Sequence, residues 1–142
     1  MLEINIDYAT ETDFVWLKEN DIHVVNDAWI KRCLAHNEYL VARRQDSTNI
    51  GFLRFSYFWG NIPYMDMIRI NEENQKTGVG TQLVRFWEKK MKSNGAALCM
   101  TSSLENEPEP LNWHKRNGYI PTGQIHFKSI DQYPEIFLIK EL

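Results

Sequence analysis

The sequence predicts an α/β fold on a mixed, mostly antiparallel sheet, with elements in the order β-α-α-β-β-β-α-β-α-β-β. Three observations carry this expectation. Segments with apolar residues at every second position alternate with segments whose apolar residues recur at steps of three and four, the periods of strand and helix. Three strand-like runs follow one another between residues 38 and 71, which reads most simply as an antiparallel meander. One strand-helix-strand crossover, through residues 81 to 94, calls for a parallel pair in the same sheet.

Leu2, Ile4 and Ile6 alternate with Glu3, Asn5 and Asp7 as in a half-buried strand. Thr10 or Thr12 can cap a short helix carrying Phe14, Trp16 and Leu17; a second helix, from Asn26 to His36, has Val25, Trp29 and Cys33 spaced by four. The runs EYLVARR, IGFLRFSYFW and IPYMDMIRIN are separated by breaks at Asp46 to Asn49 and at Gly60-Asn61. The period then becomes helical. Gly80, Leu83, Val84, Trp87 and Met91 share one face, Lys89, Lys90 and Lys92 lie off it, and Glu88 can pair with Lys92. Gly95 ends this helix. AALCMTS reads as a fifth strand, PEPLNWHKRN as a helix opened by prolines and closed by Gly118, and YIPTGQIHF with EIFLIKEL as a terminal hairpin.

With 142 residues, 43% of them hydrophobic, the chain fits a single domain over 1–142 that can bury a real core. A net charge of −3 offers no basic field to hold DNA or RNA through counterion release, so no nucleic-acid partner is expected. No window approaches about 20 apolar residues and the start MLEINIDYATETD has no basic leader, which predicts no membrane partner and a cytoplasmic protein. Cys33 and Cys99 sit inside apolar patterns, as small buried hydrophobes in a reducing compartment do. His23, His36 and His126 are isolated, so no metal site is expected. Ser102-Ser103 lacks the glycines of a nucleophile elbow.

The segment NQKTGVGTQLV, residues 74 to 84, lies between strand and helix and carries glycines at 78 and 80. Amides in the first turn of a helix have no internal partners, and the aligned peptide dipoles attract anions to that end. A diphosphate needs several such amides at close range; glycine removes the obstructing side chain and permits positive φ where the loop curls. The segment is built like a phosphate cradle. It lacks the GKS or GKT of a P-loop, and Leu83 stands where a dinucleotide fingerprint has its third glycine. A tight turn without ligand is the alternative reading of the glycines alone.

Gln75-Lys76-Thr77-Gly78-Val79-Gly80 resembles the [RQ]xxGx[GA] motif of the GNAT N-acetyltransferase superfamily, which binds the pyrophosphate of acetyl-CoA. Ile68 and Ile70 fall where that family places apolar residues of the strand beside the pantetheine. NEPEPLNWHKRNGY is similar to the family's Asn-rich helix, starting at Asn106 and running through Trp113, and EIFLIKEL to its last strand. The resemblance spans essentially the whole chain and implies a GNAT-like sheet whose parallel strands splay, acetyl-CoA as cosubstrate and no metal. It implies that the backbone of Ile68, Arg69 and Ile70 pairs with pantetheine. The amides from Lys76 to Thr81 then hold the pyrophosphate, and the Ile70 amide is a candidate donor to the thioester oxygen.

An amine must be neutral to attack, and the leaving thiolate needs a proton. Asp66, on the alternating face of Ile68 and Ile70, is the candidate base, with Glu72 and Glu73 as water-mediated alternatives. The family's tyrosine, four residues before the glycine, maps onto His114, which is the candidate acid and otherwise a packing neighbour of Trp113. The aromatic run FSYFWGNIPY reads as core plus hairpin edge, or as an acceptor wall. Acceptor loops are expected near 19 to 27 and 128 to 135, where Glu19, Asp21, Asp27, Asp131 and Glu135 favour a cationic small-molecule amine or a protein amine. An acetyl-CoA-binding sensor with little turnover stays as the alternative, and a homodimer is left open.

Overall fold

The computed structural model describes residues 2–23 and 26–142. Its elements follow the expected order: β1 (Asn5–Tyr8), α1 (Phe14–Asn20), α2 (Asp27–Ala35), β2 (Tyr39–Arg43), β3 (Asn49–Phe58), β4 (Ile62–Ile70), α3 (Val79–Ser93), β5 (Leu98–Leu104), α4 (Pro108–Arg116), β6 (Ile120–Ile125) and β7 (Glu135–Glu141). Short 3-10 turns at Glu11–Asp13 and Glu72–Asn74 add to these. Asn26 caps α2 by accepting from the Trp29 amide, while Val25 lies outside the described residues.

Among the described residues seven strands hydrogen-bond in the order β1-β2-β3-β4-β5-β7-β6. The register pairs β1 with β2, β2 with β3, β5 with β7 and β6 with β7 antiparallel. The crossover through α3 makes β4 and β5 the parallel pair, Tyr64 beside Met100 and Met65 beside Thr101. Within the terminal hairpin it is β7, not β6, that pairs with β5. Composition gives the reason: Pro121 and Gly123 suit β6 to an edge, where a missing donor and a bulge are tolerated, whereas β7 carries Ile136 to Ile139 without interruption.

The chain forms two compact units, Met1–Phe55 with Met67–Trp87, and Ser56–Asp66 with Glu88–Leu142. In the first, Ala9, Leu17, Ile30, Cys33, Leu34, Tyr39, Val41 and Phe52 make a core against Phe14, Trp16 and Met67. The alternate β-residues Leu40 and Leu53 are fully buried too, so this part of the sheet is covered on both faces. Val79, Leu83, Val84 and Trp87 form the buried stripe that the period of α3 predicts, with Trp87 against Phe55. Asp21, expected on an acceptor loop, is instead buried, accepting from the Tyr39 hydroxyl at 2.6 Å and Arg54 Nε at 2.7 Å. A buried carboxylate needs such partners, and its charge is spent on them.

In the second unit β5 alternates buried Cys99, Thr101 and Ser103 with half-buried Leu98, Met100, Ser102 and Leu104. Glu88, whose expected partner is Lys92, is buried and accepts from Tyr119 Oη at 2.9 Å and Lys140 Nζ at 3.0 Å. The aromatic run divides along its length: Phe55 is buried, while Tyr57, Phe58 and Trp59 are exposed toward the hairpin tip. Cys33 and Cys99 are buried thiols outside any disulfide, and burial pushes Cys99 up to about 12.

Candidate active site

The first unit carries the cradle. β4 ends at Ile70, a 3-10 turn follows, and the chain curls through Lys76 (φ 61°) and Gly78 (φ 89°) into α3. An α-helical ladder starts where the Gln82 amide donates to the Gly78 carbonyl at 3.0 Å, so the amides of Val79, Gly80 and Thr81 precede it. A Cβ placed on Gly78 would meet nothing within 4 Å, so the loop faces open space there, and glycine is required for the backbone rather than for packing. Gln75 Nε2 donates to the Ile70 carbonyl at 3.1 Å, and Thr77 Oγ1 donates to the Asn74 carbonyl. These side chains fasten the turn to itself and to the end of β4. Gln75, Lys76, Thr77, Gly78 and Thr81 are exposed, Gly80 is half-buried and Val79 is buried as the first residue of the core stripe.

Ile68 and Ile70 are half-buried and Arg69 is exposed. Gly51 on β3 seats this strand, since a Cβ on it would lie 2.7 Å from Ile70 Cδ1 and 3.1 Å from the Arg69 carbonyl oxygen. That role follows from strand pairing and has no local sequence signal. A cavity of about 440 Å³ opens beside the strand end, lined by Asn20, Arg69, Ile70, Asn71, Glu72 and Gln75.

Asp66 lies in the second unit, half-buried, and its Oδ1 accepts from Ser56 Oγ at 2.8 Å. Tyr64, two residues earlier on the same alternating face, hydrogen-bonds Ser102 Oγ, which donates to Glu135 Oε1 at 2.7 Å. Tyr64 packs against Phe137, with ring centroids 6.3 Å apart. The alternation that selects Asp66 also selects Tyr64; a chain of bonds across three strands leaves no such trace. Glu72 and Glu73 are exposed, and Glu73 bonds Arg44 at 3.1 Å.

α4 places His114 on its buried side, edge-on to Trp113 at 5.5 Å and to Tyr119 at 6.2 Å. Burial pulls its pKa down to about 4, and its Nδ1 is buried without a hydrogen-bond partner. The ring is therefore neutral at pH 7 and holds no imidazolium proton to give. Trp113 is half-buried and Asn106 is exposed in the turn before α4. Among the described residues no group of three His, Cys, Asp or Glu side chains could hold a metal ion, and no helix is long and apolar enough to cross a membrane.

The chain has no match among curated proteins. Its structure is similar to a GNAT-family acetyltransferase from Bacillus cereus ATCC 10987 (20% identity, TM-score 0.79, 98% of this chain and 97% of that one). It is also similar to Ard1 from Thermoplasma volcanium (12%, 0.83, 98% and 97%). A third likeness is to Arabidopsis thaliana Naa50 in complex with the bisubstrate analogue CoA-Ac-MVNAL (15%, 0.79, 99% and 100%). At such identities the likeness is one of fold. A family model matches residues 2–119, most of the chain, and with it the glycine cradle opening α3: the chain belongs to the Acetyltransferase (GNAT) family, the acetyl-CoA-dependent N-acetyltransferases.

Proposed function

We propose that the protein moves the acetyl group of acetyl-CoA to a primary amine by direct attack in a ternary complex. The observation that carries this reading is the turn from Gln75 to Gly80, where Gly78 at φ 89° leads into helix amides that precede the α3 ladder. Those amides hold the pyrophosphate, the backbone from Ile68 to Ile70 takes the pantetheine as an added strand, and the Ile70 amide donates to the thioester oxygen as charge develops there. Both cysteines are buried, which supports transfer without an acyl-enzyme. Asp66 attracts the incoming ammonium and takes its first proton, directly or through water. His114 acts as a neutral ring that packs α4 and offers the thiolate at most a hydrogen bond.

The acceptor is proposed to be a small-molecule or protein amine. Naa50 is in complex with the bisubstrate analogue CoA-Ac-MVNAL and another neighbour is a nourseothricin acetyltransferase, which supports keeping both kinds of acceptor. We further propose that the two units act as a single domain, since β3, β4 and α3 each contribute residues to both. Buried thiols outside a disulfide support the reducing cytoplasm as the place of action. A second reading, an acetyl-CoA-binding sensor with little turnover, is favoured by the buried, neutral His114 at the position of the family's tyrosine.

Ligand linkage tests the reading directly. A ligand bound only by the native state at a hundredfold excess over Kd adds about 2.7 kcal/mol of stability. Acetyl-CoA and CoA are expected to raise Tm clearly, and NAD or ATP with magnesium to leave it unchanged. A shift with ATP and none with CoA overturns the assignment. Release of CoA thiol with amines, against acetyl-CoA alone, separates enzyme from sensor.

A further inference from the structure

A strand can be met in two ways. Its main-chain amides point along the plane of the sheet, toward a neighbouring strand, whereas its side chains stand off the two faces. An extended pantetheine beside Ile68 to Ile70 therefore meets the edge of β4, and the Arg69 side chain stands on a face. Met67, two residues earlier, fixes which face, because it packs against the core that α1 and α2 build with Tyr39, Val41 and Phe52. α3 covers the other face, where Trp87 meets Phe55. The cavity of about 440 Å³ at the end of β4 opens on the α1 side, since Asn20, the last residue of α1, lines it together with Arg69. Ile70, whose amide is assigned to the thioester oxygen, lines it too. All of these lining residues belong to the first unit.

Charge in this cavity is unspent. Arg32, Arg43, Arg44 and Arg54 are each ion-paired, with Glu38, Asp13, Glu73 and Asp21 in turn. The side chains of Arg69 and Glu72, opposite in sign and lining one cavity, enter no ion pair or hydrogen bond among the described residues, not even with each other. Asn20, Asn71 and Gln75 are anchored instead. Each gives an amide N–H to a main-chain carbonyl, of Trp16, Asn49 and Ile70 respectively, which leaves its side-chain oxygen as an acceptor. The lining thus offers one planar cation for an anion, and a carboxylate with amide oxygens for a cation.

We propose that the acceptor is a free α-amino acid, its carboxylate held by Arg69 and its ammonium drawn into the cavity by Glu72 and the amide oxygens. The inference rests on the acetyltransferase reading given above and names the substrate class of that site. A guanidinium fork matches a carboxylate with two parallel hydrogen bonds. In an α-amino acid the carboxylate is one carbon from the reacting nitrogen, and Arg69 is the neighbour of Ile70, so holding the carboxylate at residue 69 keeps the nitrogen beside the thioester. A polyamine brings Arg69 only a second cation. A peptide N-terminus carries its carboxylate at the far end of the chain, and an amino-acid amide leaves the guanidinium without its anion. Arg69 therefore determines specificity, and the size of the cavity suits a small molecule.

Thiol release with acetyl-CoA is measured for lysine, serine and methionine, each against its carboxamide, and for spermidine and a tetrapeptide with a free N-terminus. The ammonium of the carboxamide is the more acidic of each pair, so intrinsic reactivity favours the amide, and a preference for the acid must come from the site. Wild type should prefer the acid by at least ~10-fold in kcat/KM. In Arg69→Gln that ratio should fall to about one through the acceptor KM, with the acetyl-CoA KM unmoved, because only the main chain of residue 69 is assigned to the cofactor. In Glu72→Gln the KM of acid and amide should rise together, since both carry the ammonium. Arg69 and Glu72 are exposed, so both variants are expected to fold, and the CoA-dependent rise in Tm verifies this. Equal use of acid and amide by wild type, a preference for spermidine or the tetrapeptide, an acid preference that survives Arg69→Gln, or an Arg69→Gln effect confined to the acetyl-CoA KM overturns the amino-acid assignment alone. No thiol release by wild type with any amine, while CoA still raises Tm, overturns acetyl transfer and the assignment with it.

Discussion

Replacing His114 with phenylalanine is expected to flatten the dependence of stability on pH between about 7 and 4. His114 is buried against Trp113 and Tyr119, and burial lowers its pKa from 6.5 to about 4. The folded state therefore binds no proton at this ring in a range where the unfolded chain does. Stability rises with pH wherever the unfolded state holds more protons, so the contribution is complete above the unfolded pKa near 6.5 and is lost as pH falls toward 4. A shift of that size corresponds to ~3 kcal/mol between the two ends of the window. Urea denaturation of wild type and His114→Phe at pH 7.5, 6.5, 5.5 and 4.5 isolates the effect, because carboxylates such as Asp13, held low by Arg43, the Thr10 amide and Asn49 against its own burial, contribute alike to both proteins. At pH 7.5 the two should agree within ~1 kcal/mol, since the buried Nδ1 has no partner to lose. At pH 4.5 the variant should be the more stable by ~2 to 3 kcal/mol. Parallel curves would refute the argument and return His114 to a charged, solvated ring. A folded variant whose kcat falls about 10²-fold, with its high-pH limb gone, would instead make the ring the acid.

Two further outcomes bear on the cofactor half of the site. Gly80→Asp puts a carboxylate among the first-turn amides, where it suits the helix dipole and repels a diphosphate; calorimetry should show CoA affinity lowered at least 10²-fold in a folded protein. Gly51→Ala brings a Cβ against Ile70 Cδ1 and the Arg69 carbonyl, displacing the strand end rather than the cradle. It should cost ~1 kcal/mol in denaturant titrations and raise the acetyl-CoA KM severalfold with kcat nearly intact.

Element order was legible because each element states its own period. The α3 stripe of Leu83, Val84, Trp87 and Met91 is buried as its spacing requires, and β4 and β5 are parallel because the connection between them is a helix. Partners across long separations were not legible. Glu88 sits 52 positions from Lys140, and helix spacing offered only Lys92. Asp21 read as a surface acid in a loop, but Tyr39 and Arg54 draw it into the core, so the acidic character of 19 to 27 argues less for a cationic acceptor than composition implied. Asp27 likewise bonds Lys18, at 3.2 Å. Alternation reports the face on which a side chain lies. It does not report which strand lies beside it.

This difference also separates the two halves of the chemistry. Holding a diphosphate at helix amides and an extended pantetheine along a strand asks for main-chain conformations, and these constrain few residues: Lys76 and Gly78 at positive φ, little beyond them. A short motif can then mark the cofactor site in a chain that otherwise shares little sequence with its structural neighbours. Proton transfer asks instead for side chains at hydrogen-bond distance, and several strands of one sheet can supply them from different positions. The division has a kinetic consequence. Changes in the cradle should appear in acetyl-CoA affinity with the pH dependence of turnover preserved, whereas Asp66→Asn should appear in kcat and its pH dependence with acetyl-CoA affinity preserved, and a variant of either kind that moved both equally would mean that the two halves are not separable.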